Sequence, residues 1–550
     1  MLISAEAKLI LIRLWTAAFF LWAVLSLLTP IQDADFFWHL ASGKVIVQAW
    51  AIPRVDVFSL TGKGTRWIDS YWLYDVLLYL AYRISGFTGI IVIKMLGVTA
   101  ILGILWKKMA AHAVPWLARG AALAVVFYAA QPGGRWNPQA SLVSLLFFTL
   151  LLWKLDHDRF QEHDVIPWFL FFCLWANLHR GFLMGLACAA FLLMERASSW
   201  PRVRRWARWL LAAAAATLIT PNHVWLYKMI WDDWRLSSVQ MANWAPPSWQ
   251  ELEIFWITLI VFWIVFLAES ARTRQLDIAR FALGVFLSWQ SVTRLIQVSY
   301  FVVFAVPDVT QILWSWFRKT PWHVRVRDRW VLPMAASFVL LFWGQARAHV
   351  AGGIDSSNPF GAMNMIESVK FPGPFYNDYV FGGFWVWRFG TRLPVFIDGR
   401  YPAVEGYKPL LTEILHAKYG PPAGWETFLN RYKINTALMK YPEPSPFPSL
   451  FDVQFPRKRW ALVYWDDTAL LFVRRAALPK TPGAGREFRW ISPDERFDRF
   501  RERIRAASPG QKSQIAQELA ISAHLHPDSR LVHLMLRIFM EEQVLKKSIN

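Results

Sequence analysis

Cysteine is almost missing from this chain: Cys173 and Cys188 are its 2 thiols in 550 residues, and each sits inside an apolar run. That excludes a disulfide framework and a thiol-based zinc module. Charge is scarce too, at 18% Asp, Glu, Lys and Arg. A disordered or collagen-like chain is excluded by the opposite feature, an abundance of aromatic side chains. The sequence is 55% hydrophobic and 16% aromatic, with 34 Trp and 41 Phe. So much apolar surface exceeds what soluble domains of this length can bury, which leaves a polytopic membrane protein.

Apolar stretches long enough to be read as spans lie at Leu9 to Thr29 and near 86–106, 115–131, 139–154, 165–178, 182–195, 207–220, 252–269, 276–291, 295–316 and 331–346. The first lacks a small-residue cleavage site before Asp33 and reads as an uncleaved anchor. Tyr71 to Ile84 is aromatic-rich and reads as interfacial or re-entrant. The expected fold is mostly α, with about eleven transmembrane helices. A C-terminal extracytoplasmic α/β region and a helical tail follow. The expected boundaries are 1–347 for the membrane domain, with a first outer loop at 30–70, then 348–478 for the α/β domain and 479–550 for linker and tail.

The formal net charge is +20. Arg196, Arg202, Arg204, Arg205 and Arg208 crowd one short connection, and Arg318, Lys319, Arg325, Arg327 and Arg329 another. Lys107 with Lys108, and Arg272, Arg274 and Arg280, mark two more. Basic loops stay in the cytoplasm, so this basicity reads as a topology signal and not as a nucleic-acid footprint. The amino terminus is then inside, and residues 30–70 and everything after about 347 are outside.

Unusual polar residues collect on that outer side. Asp33 and Asp35 follow the first span amid aromatics, and a helix starting near Asp33 puts Asp35 and His39 on one face at i, i+4. Such a cluster can hold a divalent cation, Mg²⁺ or Mn²⁺, through Asp33, Asp35 and His39, or supply a general base. It can equally be a helix N-cap with first-turn acids. Asp69 is either a second site acid or the cap of the next helix. In the α/β region, Phe384–Trp387, Leu393–Ile397 and Thr436–Met439 read as short strands, and Trp460 to Arg475 as a hairpin turning at Trp465-Asp466-Asp467. Pro409 to His416, Ala423 to Tyr432, Gln511 to Ile521 and Asp528 to Lys546 read as helices. Asn377-Asp378-Tyr379 and Asp398-Gly399-Arg400 fit turn and cap roles, or a domain that roofs a cavity and helps select an acceptor.

Taken together, Asp33-Ala34-Asp35 with Trp38-His39-Leu40, Ile52-Pro53-Arg54-Val55-Asp56-Val57-Phe58-Ser59 and Trp67-Ile68-Asp69 resemble a bacterial family of polytopic proteins. The same family is matched by Arg135 with Pro138-Gln139, Trp175-Ala176-Asn177-Leu178-His179 with Gly181, Arg294, Tyr376-Asn377-Asp378-Tyr379 and Phe396-Ile397-Asp398-Gly399-Arg400. It is similar to the GT-C glycosyltransferases, which include protein O-mannosyltransferases and aminoarabinose transferases of lipid A and which carry an acidic motif in the first external loop. The chain departs from the pattern at Ser70-Tyr71, where relatives tend to show His-Glu, and at Asn243-Trp244, where they tend to show Glu-Trp.

The resemblance implies transfer of a monosaccharide from a polyprenyl-phosphate donor to an acceptor outside the bacterial cytoplasmic membrane, with inversion. Asp33, Asp35 and Asp69 would be the catalytic acids, and Arg135, His179 and Arg294 would grip the donor phosphate; read by themselves, the arginines fit snorkelling to headgroups and His179 an interfacial residue satisfied by water. Trp38, Trp67, Asn177, Asn243 and Arg400 would line the cavity or acceptor site. The partners implied are the lipid-linked sugar, membrane lipids and an unspecified acceptor. The rival readings are a lipid flippase or transporter, and a non-catalytic envelope scaffold.

Overall fold

The computed structural model describes residues 10–549 apart from 11–13, 15–16, 19, 24, 131–135, 157–164, 195–199, 237–244, 251, 320–353, 401–402, 442–452 and 479–486. The chain divides into two units, one of Met1–Ile52 with Ile68–Ile354 and one of Pro53–Trp67 with Asp355–Asn550.

The first unit is helical. Its elements are α1 (Phe36–Ala49), α2 (Trp72–Ala111), α3 (Trp116–Ala129), α4 (Ala140–Asp156), α5 (Val165–Leu178), α6 (Phe182–Met194), α7 (Trp200–Ala216), α8 (Val224–Leu236), α9 (Glu253–Thr273), α10 (Ile278–Thr293) and α11 (Val298–Phe317). Among the described residues three helices are long and apolar enough to cross a membrane: Trp72–Ala111, Glu253–Thr273 and Leu295–Phe317, the last including the 3₁₀ turn before α11. The other expected spans that are described appear as helices of 13 to 17 residues. The expected spans at 9–29 and 331–346 lie partly and wholly outside the described residues. α2 is broken at Gly86, whose φ of 61° and ψ of −159° suit a residue without a Cβ. The break separates the aromatic segment beginning at Trp72 from the apolar stretch that follows.

α1 lies against the first turns of α2. A Cβ on Gly43 would stand 1.9 Å from the Asp75 carbonyl oxygen, so the two backbones approach more closely than any larger residue permits. α11 is the core of the unit: Val298 to Val309 are buried without interruption, as expected of a helix apolar on every face. Lys108 on α2 ties the bundle by charge, with Asp156 on α4 at 2.7 Å and Asp308 on α11 at 3.0 Å.

The second unit carries α12 (Phe360–Val369), α13 (Gly382–Phe389), α14 (Tyr407–Tyr419), α15 (Pro422–Arg431), α16 (Phe497–Ala506), α17 (Pro509–Leu525) and α18 (Arg530–Ile549) around β1 (Phe375–Asn377), β2 (Thr436–Lys440), β3 (Trp460–Trp465) and β4 (Ala469–Arg474). The sheet order is β1-β2-β4-β3, with β1 parallel to β2 and the other pairs antiparallel. All of β3 is buried, and so is β4 up to Val473, so helices and loops cover both faces of the hairpin. The hairpin, β2 and the four helices read from sequence are present. Phe384–Trp387 is instead inside α13, because a short apolar run without charge fits a buried helix as well as a strand. Leu393–Ile397 forms no strand, only an isolated bridge from Val395 to Ser59.

Candidate active site

The site begins where α1 meets α2. Asp35 occupies the N-cap position of α1 but its side chain makes no capping bond. The Asp35 N–H instead donates to Asp33 Oδ1 at 3.1 Å. One turn on, His39 sets its Nδ1 2.6 Å from Asp75 Oδ1. Both side chains are buried, at 6% and 0% exposure. Burial and then the Arg180 guanidinium hold His39 well below the usual imidazole range. The contact with Asp75 is thus a hydrogen bond of a neutral ring, and an imidazolium ion pair is disfavoured.

Aromatic rings fix that imidazole. Trp38 stacks on it with centroids 3.6 Å apart, and Tyr71 and Tyr74 meet it edge-on at 5.0 and 5.2 Å. Tyr71 also packs against the ring of His179 at 5.4 Å, and the Arg180 guanidinium lies 5.9 Å from the Tyr71 centroid. Tyr71, half of the Ser70-Tyr71 departure from the pattern the sequence resembles, joins the two histidines. Asp69 is buried, accepts the Tyr71 N–H at 3.0 Å on Oδ1, and takes the Asn222 side-chain N–H at 2.8 Å on its carbonyl. Asp69 is therefore a cap of the turn into α2 and also a carboxylate within electrostatic reach of Asp75. Trp38 Nε1, Ser42 Oγ, Ser70 Oγ and Asp75 Oδ2 are enclosed polar atoms with no hydrogen-bond partner among the described residues. Such atoms cost free energy unless a function retains them.

The far wall comes from α5 and the turn after it. Asn177 accepts the Trp72 indole N–H at 2.8 Å and donates to the carbonyls of Cys173 and Ile219, both at 2.8 Å. His179 Nδ1 is bonded by Ser144 and by the Gly181 N–H. Asp33, Asp35, Trp38, His39, Asp69, Asn177 and His179 thus all belong to the first unit, and a chain of contacts through Tyr71 and Trp72 links His39 to His179 and Asn177. Arg294, half-buried, caps α10 where it passes into the 3₁₀ turn. Arg135 and Asn243 lie outside the described residues.

Trp67 and Arg400 belong to the second unit. The Arg400 guanidinium is fully enclosed, 2.5 Å from Asp56 Oδ1 and 2.7 Å from Asp398 Oδ2, and 4.9 Å from the Trp67 ring centroid. Burial works against its charge, but Asp398 and Asp56 offset this and hold it above its usual value. Asn377 bridges the Phe396 N–H and the Ile397 carbonyl, each at 2.8 Å, and Asp378 caps the turn at Tyr379. These are the turn and cap roles read from sequence.

Among the described residues no group of three or more His, Cys, Asp or Glu is arranged to hold a metal. Asp33, Asp35 and His39 are not brought together as such a group.

Asp75 is the site residue that sequence reading missed. Its signal is a carboxylate inside the otherwise apolar run Tyr71 to Leu80, a placement that is costly without a partner.

The helical membrane-type unit with an acidic motif ahead of α1, accompanied by a small mixed sheet, has counterparts of similar fold among solved structures. The chain is similar to the oligosaccharyltransferase AglB from Archaeoglobus fulgidus solved with an inhibitory peptide and a dolichol-phosphate, with a TM-score of 0.51 and 9% identity over 85% of this chain and 75% of that one. It is similar to ArnT from Cupriavidus metallidurans in the apo state, with a TM-score of 0.50 and 13% identity over 87% of this chain and 100% of that one. The A. fulgidus oligosaccharyltransferase solved with Zn and sulfate matches with a TM-score of 0.51 and 10% identity over 92% of this chain and 82% of that one. No protein-family model matches the sequence, and no curated protein matches it. The likeness is one of fold, consistent with a membrane location.

Proposed function

We propose that this chain is an inverting membrane glycosyltransferase that moves a monosaccharide from a polyprenyl-phosphate donor to an acceptor hydroxyl on the outer face of the bacterial cytoplasmic membrane. The observation that carries the proposal is the gathering of His39, Asp75 and Asp69 with Tyr71, His179 and Arg180, directly after the Asp33/Asp35 motif. Carboxylates and one imidazole flank one part of this cluster and a guanidinium and the second imidazole the other, as transfer away from a phosphate needs. The GT-C-like fold, shared with a transferase solved with a dolichol-phosphate, supports the donor class.

In the reaction the acceptor oxygen attacks the anomeric carbon as the bond from that carbon to the phosphate oxygen breaks. The acceptor proton passes to a base, Asp33 or Asp35, and polyprenyl phosphate leaves with the bonding pair. A single displacement inverts the centre, without the covalent intermediate of two-carboxylate retaining enzymes. His179, with Arg180 beside it and Arg135 and Arg294 from elsewhere in the chain, stabilises charge on the departing phosphate. Trp38 and Asn177 shape the sugar site, and Asn243 serves the acceptor; the enclosed Arg400, beside Trp67, holds its own unit together. The topology belongs to the same reading: about eleven spans, the amino terminus in the cytoplasm, and the residues after about 347 outside.

Purified protein given radiolabelled polyprenyl-phosphate sugars should transfer label and release polyprenyl phosphate, and Asp33→Asn with Asp35→Asn should fold and fail. Undiminished turnover in both variants removes the proposed base; lipid scrambling without sugar transfer replaces the transferase with a flippase.

A further inference from the structure

Two hydrogens converge on one ring nitrogen of His179. The Gly181 backbone N–H donates to Nδ1 at 2.9 Å, and a backbone amide can only donate. Ser144 Oγ lies 2.6 Å from the same Nδ1. The Trp175 indole N–H, also donor-only, is spent on Ser144 Oγ at 2.6 Å. Because the Gly181 amide already makes Nδ1 an acceptor, the serine oxygen accepts from the indole and turns its own hydrogen to the imidazole. Nδ1 is left as an acceptor, so the ring proton resides on Nε2.

We infer that Ser144 is a positioning residue that, with the Gly181 amide, locks His179 as the Nε2–H tautomer and so makes it a hydrogen-bond donor to an anionic phosphoryl oxygen. The inference rests on the phosphate role proposed for His179 and says how that role is set. The opposite tautomer would face the phosphate with a lone pair, and the contact would turn repulsive. Ser144 is fully buried on α4, where water cannot replace its hydroxyl, and it is bonded to Trp175 on α5, so the ring is referenced to two helices rather than to its own turn. Arg180, the next residue, brings a full positive charge, and His179 then contributes direction.

The test uses the full chain in lipid nanodiscs with ¹⁵N-histidine, the His179 signals being those lost in His179→Gln. The wild type should show an acceptor-type Nδ1 and a protonated Nε2, and a polyprenyl monophosphate should shift the Nε2 signal. Ser144→Ala should raise the minor tautomer and weaken that ligand about fivefold. Trp175→Phe should keep the tautomer, because Ser144 and Gly181 both still donate; this separates the hydroxyl from packing. A protonated Nδ1 in the wild type overturns the inference without any variant. Ser144→Ala with unchanged tautomer and affinity overturns it while leaving the transferase reading intact. A wild type with the expected tautomer that fails to bind the polyprenyl monophosphate overturns the phosphate role itself.

Discussion

His39 and Asp75 stand 36 positions apart in sequence and share a 2.6 Å hydrogen bond in a place that excludes water. The bond orients an imidazole beside the Asp33/Asp35 motif, and Asp75 has no other hydrogen-bond partner among the described residues at its second oxygen. If the pair assists proton transfer, His39→Gln and Asp75→Asn should each lower kcat by about 10²-fold or more. KM for the lipid-linked sugar should change little, since neither residue grips the phosphate. Initial rates of polyprenyl phosphate release at saturating donor give the split; a loss confined to KM would show that His39 only shapes the donor site.

The same imidazole makes stability depend on pH. Burial and Arg180 hold His39 well below its ordinary 6.5 in the folded chain, so below that pH the unfolded state binds a proton that the native state refuses. The stabilising contribution is present above pH 6.5 and is lost as pH falls, at about 1.4 kcal/mol per pH unit until the native value is reached. Thermal unfolding in detergent between neutral pH and mild acid should show this slope. His39→Gln should flatten it.

Much of the helical unit was readable because long apolar runs have one solution in a bilayer. The run at 165–178 is Val165–Leu178 in the structure, and 276–291 is Ile278–Thr293 to within two residues at each end. Local pattern fails where distant residues decide. Phe384 to Trp387 alternates too weakly to choose strand over helix, and the helix it joins starts at Gly382, whose lack of a side chain lets it pack on the Ile397–Asp398 backbone. Asp75 stands out in sequence only as a carboxylate among apolar neighbours, and it becomes a site residue once His39 is set against it. Segment Pro53–Trp67 reads as part of the outer loop of the membrane domain, yet its Asp56 pairs with Arg400 across 344 positions, and this places it in the second unit.

That pairing makes Arg400 an anchor whose removal should unfold its unit rather than merely slow a reaction. Arg400→Ala leaves Asp56 and Asp398 enclosed without their cation, at a cost of about 3–5 kcal/mol. Arg400→Lys recovers little, because an ammonium cannot meet both carboxylates in the planar geometry seen here. Asp56→Asn combined with Arg400→Ala should be less damaging than the sum of the two single changes. Thermal melts of the four proteins test this; additive losses would mean that the two residues are not coupled.

Gly86 holds a backbone conformation that a side chain rarely tolerates. Gly86→Ala should cost about 1–3 kcal/mol. Because Asp75 and Tyr74 ride on the segment before the break, transfer should fall by more than the fraction unfolded accounts for. Comparing the specific activity of the folded fraction with its melting curve distinguishes the two effects.

Lys108 offers the sharpest stability test in the helical unit. Its ammonium sits between Asp156 at 2.7 Å and Asp308 at 3.0 Å, with Arg280 reaching the same carboxylates at 3.3 and 3.8 Å. Lys108→Met removes the central cation and leaves two enclosed acids to repel each other, with only a half-exposed guanidinium as counter-charge. The loss should be about 3–5 kcal/mol. Adding Asp308→Asn deletes one of those acids and should restore part of it, since an amide carries no charge to strand. A double variant as unstable as Lys108→Met alone would mean that Lys108 contributes packing along its alkyl stem and not charge.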